Sequence, residues 1–181
     1  MQGTVQDKIL HPLAGKPVWR HSFDAFHSAN CIQSFVIVYR DNAQKEAIQS
    51  QIPPKTDVHF TPGGLERQDS VWAGLKAAPS KTQIVLIHDC ARPLITAEAI
   101  VQAISAAQET GAACVARKTT DTIKRCTPDA NGSFILETID RSTLWSMETP
   151  QTFQYPLIKD AYQNIIENKL PITDDLSAIE S

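Results

Sequence analysis

The chain has no cysteine pair spaced for a metal or a redox motif. Its four cysteines (Cys31, Cys90, Cys114, Cys126) contain no C-x-x-C and no zinc spacing, so they read as free thiols of a reducing cytosol. The five histidines are scattered and form no metal constellation, and most read as surface or packing residues. No apolar stretch approaches the roughly 18 residues of a membrane span, and no signal peptide opens the chain. A net charge of −3 offers no broad basic surface to nucleic acid. Any anionic ligand must therefore be held by a local cluster of Lys, Arg and backbone N–H groups. No Ser/His/Asp or Cys/His arrangement marks a side-chain nucleophile, and no repeat or low-complexity tract is present. What remains is an ordinary globular composition, 42% hydrophobic and 20% charged over 181 residues, enough for one domain with a sizeable core.

The organising stretch runs from Gln83 to Pro93. Ile84 to Ile87 is a short apolar run, too brief for a helix and β-branched, and it reads as a strand buried on both faces of a parallel sheet. It stops at His88-Asp89, and Arg92-Pro93 carries the chain away. Ligands collect beyond the carboxyl ends of such strands, so Asp89 and Arg92 can fix a hydroxyl or a phosphate. They can equally form an ion pair that merely ties down a loop. Around this strand the pattern alternates. Residues 1–17 are loop-like, and Trp19, Phe23 and Phe26 fall at helical spacing to about Ala29. Phe35 to Tyr39 is a strand, followed by a polar helix from Ala43 that Asn42 can cap. Asp57 to Phe60 is a strand leading into Gly63-Gly64 and a helix to about Ala78, whose first N–H groups face whatever the loop holds. Thr96 caps, and Gly111 stops, an alanine-rich helix. Ala112 to Ala116 and Phe134 to Thr138 are strands, and Thr149 to Phe153 is extended. A last long helix from Pro156 turns Leu157, Ala161 and Ile165 to one face, and Thr173 can cap a further one. Strands alternating with helices predict an α/β fold built on a mostly parallel open sheet with helices on both faces. Several polar clusters then share one rim, a suitable place for a phosphorylated polyol and a nucleotide.

Six motifs occur in one order: Gly63-Gly64-x-Glu66-Arg67-x-x-Ser70-Val71, His88-Asp89-x-Ala91-Arg92-Pro93, Asp121-Thr122-Ile123-Lys124, Thr138-x-Asp140-Arg141, Thr149-Pro150-Gln151-x-Phe153 and Thr173-Asp174-Asp175-x-Ser177. Together they resemble the 2-C-methyl-D-erythritol 4-phosphate cytidylyltransferases of the non-mevalonate isoprenoid route. The resemblance implies a Rossmann-like nucleotidyltransferase domain over residues 1–181, with a small β arm for dimerisation within residues 118–142. It implies a cytoplasmic homodimer that transfers a cytidylyl group from CTP to methylerythritol phosphate and releases pyrophosphate, with Mg²⁺ held mainly through the CTP phosphates. Carried over by position, Lys8 stabilises charge on the CTP phosphates, and Gly63, Gly64 and Ser70 grip the cytosine. Asp89, with Arg92 beside it, binds the methylerythritol hydroxyls. Thr122 and Arg141 reach the substrate phosphate from the other subunit, and Thr149 lines the same pocket. Asp121 and Asp140 brace turns, and Trp145 and Phe153 are packing residues.

The chain departs from the family in three ways. Cys90 stands in place of a usual alanine and Leu65 in place of a common acidic residue. The family also opens with a strand and an Ala-Ala-Gly-x-Gly-x-Arg-Met loop, and ends with a strand and an Asn-x-Lys segment. Those parts are expected outside residues 1–181, so the chain is expected to be a nearly inactive segment of a longer protein or an incomplete gene model. The nearest alternative is a ribitol-5-phosphate cytidylyltransferase, and another is a non-catalytic remnant that binds nucleotide or only dimerises. The segment Glu137-Thr138-Ile139-Asp140-Arg141 with Leu144-Trp145 resembles the methylerythritol enzymes better.

Overall fold

The first described residues fold into a small hairpin, β1 (Pro12–Leu13) against β2 (Lys16–Pro17), with Ala14 and Gly15 at positive φ in its turn. The structure is a computed structural model and describes residues 7–129, 131 and 133–180. Helix α1 (Val18–Ser28) follows, and its predicted apolar positions Trp19, Phe23 and Phe26 are all buried. Strand β3 (Phe35–Tyr39) pairs in parallel with β4 (Val58–Pro62), Phe35 opposite Val58 and Tyr39 opposite Pro62. Between them lies α2 (Asn42–Gln49). Its cap is Asp41 rather than Asn42, because the Asp41 carboxylate accepts the Gln44 N–H at 2.8 Å and Asn42 already belongs to the helix.

A second sheet is built around a strand that runs against its neighbours. Helix α3 (Arg67–Ala77) leads to β5 (Ile84–Ile87), and α4 (Ala97–Thr110) leads to β6 (Ala112–Lys118). Thr96 caps α4 through the Ala99 N–H, and Gly111 ends it at φ 90°, both as the sequence predicts. Strand β7 (Lys124–Pro128) pairs with β8 (Phe134–Thr138) as a separate arm. The long strand β9 (Trp145–Gln154) then inserts antiparallel between β5 and β6, with Leu86 and Ala113 both opposite Thr152. Thr149 to Phe153, read from the sequence only as extended, is therefore the middle of a central strand. Because β5 and β6 each oppose β9, they run in the same direction. The expected α/β fold with open sheets is observed among the described residues as one parallel pair, β3–β4, and a separate three-stranded sheet with an antiparallel central strand.

The apolar run Ile84–Ile87 is half-buried along its whole length rather than buried. Strand β5 has β9 on one edge, and β3 has β4 on one edge. Among the described residues neither has a strand on its other edge, and an open edge leaves the backbone and flanking side chains accessible. The two sheets are tied by α1. Ser22 Oγ donates to the Arg92 carbonyl at 3.0 Å, and the Phe26 ring meets the His88 ring edge-on at 5.1 Å.

Helix α5 (Tyr155–Asn168) closes one core by burying Tyr155, Ile158, Tyr162 and Ile165 against Leu75 and Phe153, and the short α6 (Ser177–Glu180) adds Ala178. Of the expected face of Leu157, Ala161 and Ile165, Ile165 is fully buried and Ala161 packs partly buried against the same core, whereas Leu157 is exposed and Ile158 and Tyr162 complete the face. Ile158→Ala should lower stability by about 2–4 kcal/mol, the range for emptying a buried aliphatic site, whereas Leu157→Ala should cost less than about 1 kcal/mol. Denaturant midpoints of the two variants check this, and equal losses would contradict the observed face.

Candidate active site

At the carboxyl end of β5 the chain turns back on itself, the Arg92 N–H donating to the Asp89 carbonyl at 2.9 Å. Within that turn Arg92 Nε donates to Asp89 Oδ2 at 3.0 Å, so the local ion pair of the plainer sequence reading does form. The adjoining strand β9 adds a second restraint. Thr149 Oγ1 accepts the Asp89 N–H at 3.3 Å and lies 2.9 Å from His88 Nδ1, while His88 Nε2 lies 3.2 Å from the Arg92 carbonyl. A carbonyl can only accept, so His88 carries its proton on Nε2, and Nδ1 accepts the Thr149 hydroxyl. Burial holds the imidazole below its ordinary range, with the neighbouring Asp89 charge opposing that shift.

The glycine loop beyond β4 is closed by its own helix. Gly63 N–H donates to the Tyr39 carbonyl at 2.8 Å, and Gly64 N–H donates to Ser70 Oγ at 3.1 Å. Ser70 in turn donates to the Glu66 carbonyl, and Asp69 accepts the Glu66 N–H at 3.1 Å. A Cβ on Gly64 would lie 2.2 Å from the Cβ of Asp69, so this glycine is required by close backbone approach and not by a positive φ.

Arg67, the first residue of α3, links this loop to Asp89. Its guanidinium forms a bidentate pair with Asp175, at 2.9 Å from Oδ1 and 2.7 Å from Oδ2. The same Nη2 lies 3.8 Å from Asp89 Oδ1. Asp175 is fully buried and also accepts the Tyr162 hydroxyl at 2.5 Å. Burial and then the adjacent carboxylate push the Tyr162 phenol well above its ordinary range, which keeps it a donor. Hydrogen bonding to Asp175 raises the Arg67 pKa further, so the guanidinium stays charged. Gln151, itself buried in β9, accepts the Asp175 and Leu176 N–H groups at 2.8 and 3.0 Å and donates to Asp174 at 3.0 Å. Asp174, rather than Thr173, receives the Ser177 N–H at the start of α6. Since Arg67 begins α3 directly after β4, its contact with Asp89 brings the carboxyl ends of β4 and β5 to one side.

The predicted site residues thus fall into two groups. Gly63, Gly64, Ser70, Asp89, Arg92 and Thr149 converge on this rim. Lys8 lies exposed beside Asp7, whose carboxylate pairs with Arg40 just past β3 at 3.2 Å, near the same strand ends. Thr122 and Arg141 stand apart, at the base of the β7–β8 arm, where Arg141 donates to the Thr120 carbonyl. Neither contacts the Asp89 cluster among the described residues. Asp140 braces its turn through the Ser142 N–H at 2.9 Å. Phe153 is fully buried, whereas Trp145 is exposed, with the Lys118 ammonium 5.7 Å from its ring. Residues that the sequence reading assigned no role, Arg67, Gln151, Tyr162 and Asp175, make the central network. A cleft of about 200 Å³ beside it is lined by Glu66, Arg67, Gln68, Ile172 and Thr173, too small by itself for a nucleotide.

Residues 2–181 match the family model of 2-C-methyl-D-erythritol 4-phosphate cytidylyltransferase. The chain belongs to this family. It is 38% identical over 177 residues to the enzyme of that name from Bacillus velezensis, covering 97% of this chain and 74% of the relative. It is also 38% identical over 183 residues to that of Alkaliphilus oremlandii, covering 99% of this chain and 76% of the relative. A crystal structure titled 4-diphosphocytidyl-2C-methyl-D-erythritol synthase superposes with a TM-score of 0.76 at 28% identity, over 96% of this chain and 79% of the other. The corresponding protein of Anaerococcus prevotii superposes with a TM-score of 0.83 at 24% identity, over 95% and 77% of the two chains, which speaks to the fold. The α/β arrangement with open sheets is thus that of a nucleotidyltransferase fold.

In this family member the neutral state of His88 has a pH consequence. Above ~6.5 neither the folded nor the unfolded chain binds a proton at this histidine. Between the depressed folded pKa and ~6.5, only the unfolded chain does, so stability falls as pH drops through that window. Protonation of Nδ1 also turns it into a donor and reverses its hydrogen bond with the Thr149 hydroxyl, which accepts the Asp89 N–H as well. His88→Gln should therefore lose less melting temperature than the wild type between about pH 7.5 and about pH 5. Identical acid-side slopes would show that His88 is not the titrating group.

Proposed function

We propose that this chain carries the site of an enzyme that transfers a cytidylyl group from CTP to 2-C-methyl-D-erythritol 4-phosphate and releases pyrophosphate, as a homodimer in the cytoplasm. The family match over residues 2–181 carries this reading, and the rim that joins the glycine loop to Asp89 supports it. A phosphate oxygen of the polyol attacks the α-phosphorus in line, a new P–O bond forms, and the bond to the β-phosphate breaks. Both partners are anions, so the protein's task is positioning and cationic neutralisation, with no side-chain nucleophile.

Each residue then has a task its surroundings allow. The Gly63 N–H is engaged by the Tyr39 carbonyl and the Gly64 N–H by Ser70, which leaves the two carbonyl oxygens to accept from the cytosine amino group. Ser70 holds that loop in shape. Asp89, with its side chain 40% exposed between two guanidinium groups, accepts from the polyol hydroxyls. Arg92 neutralises that carboxylate, and Thr149, whose hydroxyl is already committed, orients it. Lys8 supplies positive charge to the CTP phosphates. Mg²⁺, which keeps most of its water and takes few protein ligands, would be carried on the triphosphate and lower its negative charge. Among the described residues no three His, Cys, Asp or Glu side chains cluster, and a phosphate-held ion needs no such cluster. The free cysteines suit the cytoplasm, and among the described residues no helix is long and apolar enough to cross a membrane.

With CTP and Mg²⁺, pyrophosphate release should be much faster with methylerythritol phosphate than with ribitol 5-phosphate. The reverse preference would replace the acceptor, and CTP binding without turnover of either would favour a non-catalytic role.

The remote position of Arg141 and Thr122 supports a site shared between copies. Phe134, Ile135 and Leu136 on the arm are 67%, 62% and 62% exposed, an apolar surface suited to a second copy of this chain. On this reading Arg141 from one subunit clamps the attacking phosphate bound to the other. Arg141→Ala should cost on the order of 2–5 kcal/mol in transition-state binding. Mixing it with Lys8→Ala subunits should restore activity, because one hybrid site then keeps both residues. Subunit exchange without recovered turnover would disprove the sharing.

A further inference from the structure

We propose that Arg67 is a positioning residue for Asp89, holding the polyol-binding carboxylate at a fixed distance from the nucleotide loop through the buried Asp175. The inference rests on the reading of Asp89 given above. Arg92 pairs with Asp89 at 3.0 Å, but it belongs to the same turn and moves with it. It therefore cannot fix where that turn sits relative to the loop at Gly63 and Gly64. Arg67 comes from a different element, three residues after Gly64. One nitrogen, Nη2, spans two carboxylates, at 2.7 Å from Asp175 and 3.8 Å from Asp89.

What makes Arg67 a reference point is the far end of this chain of contacts. The Asp175 side chain is 0% exposed, and its oxygens are shared by the guanidinium and the Tyr162 hydroxyl. Its backbone N–H is held by Gln151 in β9, two residues beyond Thr149, which supports the Asp89 N–H. Asp89 is thus held at two points, its backbone N–H by Thr149 and its carboxylate by Arg67, and both holds lead back to the same strand. A displacement of about 1 Å between attacking and accepting groups can cost on the order of 100-fold in rate. Fixing the loop-to-Asp89 distance is accordingly a kinetic task as well as a structural one.

Arg67→Ala alone would leave Asp175 buried without its cation and could unfold the chain. The test therefore uses Arg67→Gln combined with Asp175→Asn, which removes both charges and keeps two hydrogen-bonding side chains in place. Arg67→Lys is the companion variant: an ammonium can pair with Asp175 but lacks the two-nitrogen grip on both Asp175 oxygens that aims Nη2 at Asp89. In both, KM for methylerythritol phosphate should rise about tenfold or more while KM for CTP stays within about twofold. A purely structural role would weaken both substrates together or neither. A folded double variant with the wild-type KM for the polyol phosphate overturns the inference. A second measurement does not need turnover. The side-chain carboxyl ¹³C resonance of Asp89, assigned with Asp89→Asn, should move in the double variant, and an unmoved resonance also overturns the inference. If the wild type turns over no acceptor, the functional reading falls, and the resonance alone decides the role of Arg67.

Discussion

A carboxylate with no solvent exposure, Asp175, sets the arrangement of everything around it. An ionised group at that depth persists only if a cation and further donors surround it, and leaving it unpaired typically costs ~3–5 kcal/mol. That is a large share of the roughly 5–15 kcal/mol by which a domain is stable. The Arg67 side chain is 43% exposed, so solvent moderates the figure here. Its carboxylate takes Arg67 at the start of α3 and Tyr162 in the middle of α5, and Gln151 in β9 accepts the backbone N–H of the same residue. Satisfying one buried residue, side chain and backbone, thereby fixes the relative position of a helix start, a helix face and a central strand. The apolar core formed by Leu75, Phe153, Ile158 and Ile165 is adaptable by comparison, since dispersion contacts have no required direction.

The same constraint shapes the charge of the rim. Asp89 faces two guanidinium groups, yet Arg67 is largely neutralised by Asp175, so the rim is not strongly basic despite its arginines. His88 adds no charge, because burial keeps it neutral. On the proposed reading, positive potential for the two phosphorylated substrates comes from residues at the margin of this rim, Lys8 within the chain and Arg141 from a second copy. This division explains why the overall charge can be −3 in a protein that handles two polyanions.

The sequence carried much of this architecture and little of its wiring. Strand ends such as His88-Asp89 were legible because an apolar run stops at polar residues, and Thr96 and Gly111 because caps have local chemistry. The Arg67–Asp175 pair spans 108 residues of sequence, and no local pattern announces it. Helix α5 was misjudged at Leu157 for a related reason. Leu157, Ile158, Ala161, Tyr162 and Ile165 give two apolar stripes offset by one residue, and periodicity scores them alike. The Tyr162 hydroxyl decides between them, because only one rotation brings it to Asp175. Strand β7 was missed because Lys124 to Pro128 has no apolar alternation and is a strand only through its pairing with β8.

The arm extends the argument beyond one copy of the chain. In β8 successive side chains point to opposite faces, so Phe134 and Leu136 share one face and Ile135 takes the other. All three are well exposed. A flat partner surface would cover one face and leave the other in water. Burying both requires a partner that receives the arm on two sides. An arm held in that way is also constrained at its base, where Arg141 is tied to the Thr120 carbonyl and Ile139 N–H to the Ile123 carbonyl at 3.0 Å. The apolar contact at the tip and the charged contact at the base then become one device. On the proposed dimer, hydrophobic burial along the hairpin would supply the free energy, and the paired strands would convey it to the base, where the Arg141 guanidinium would meet the phosphate.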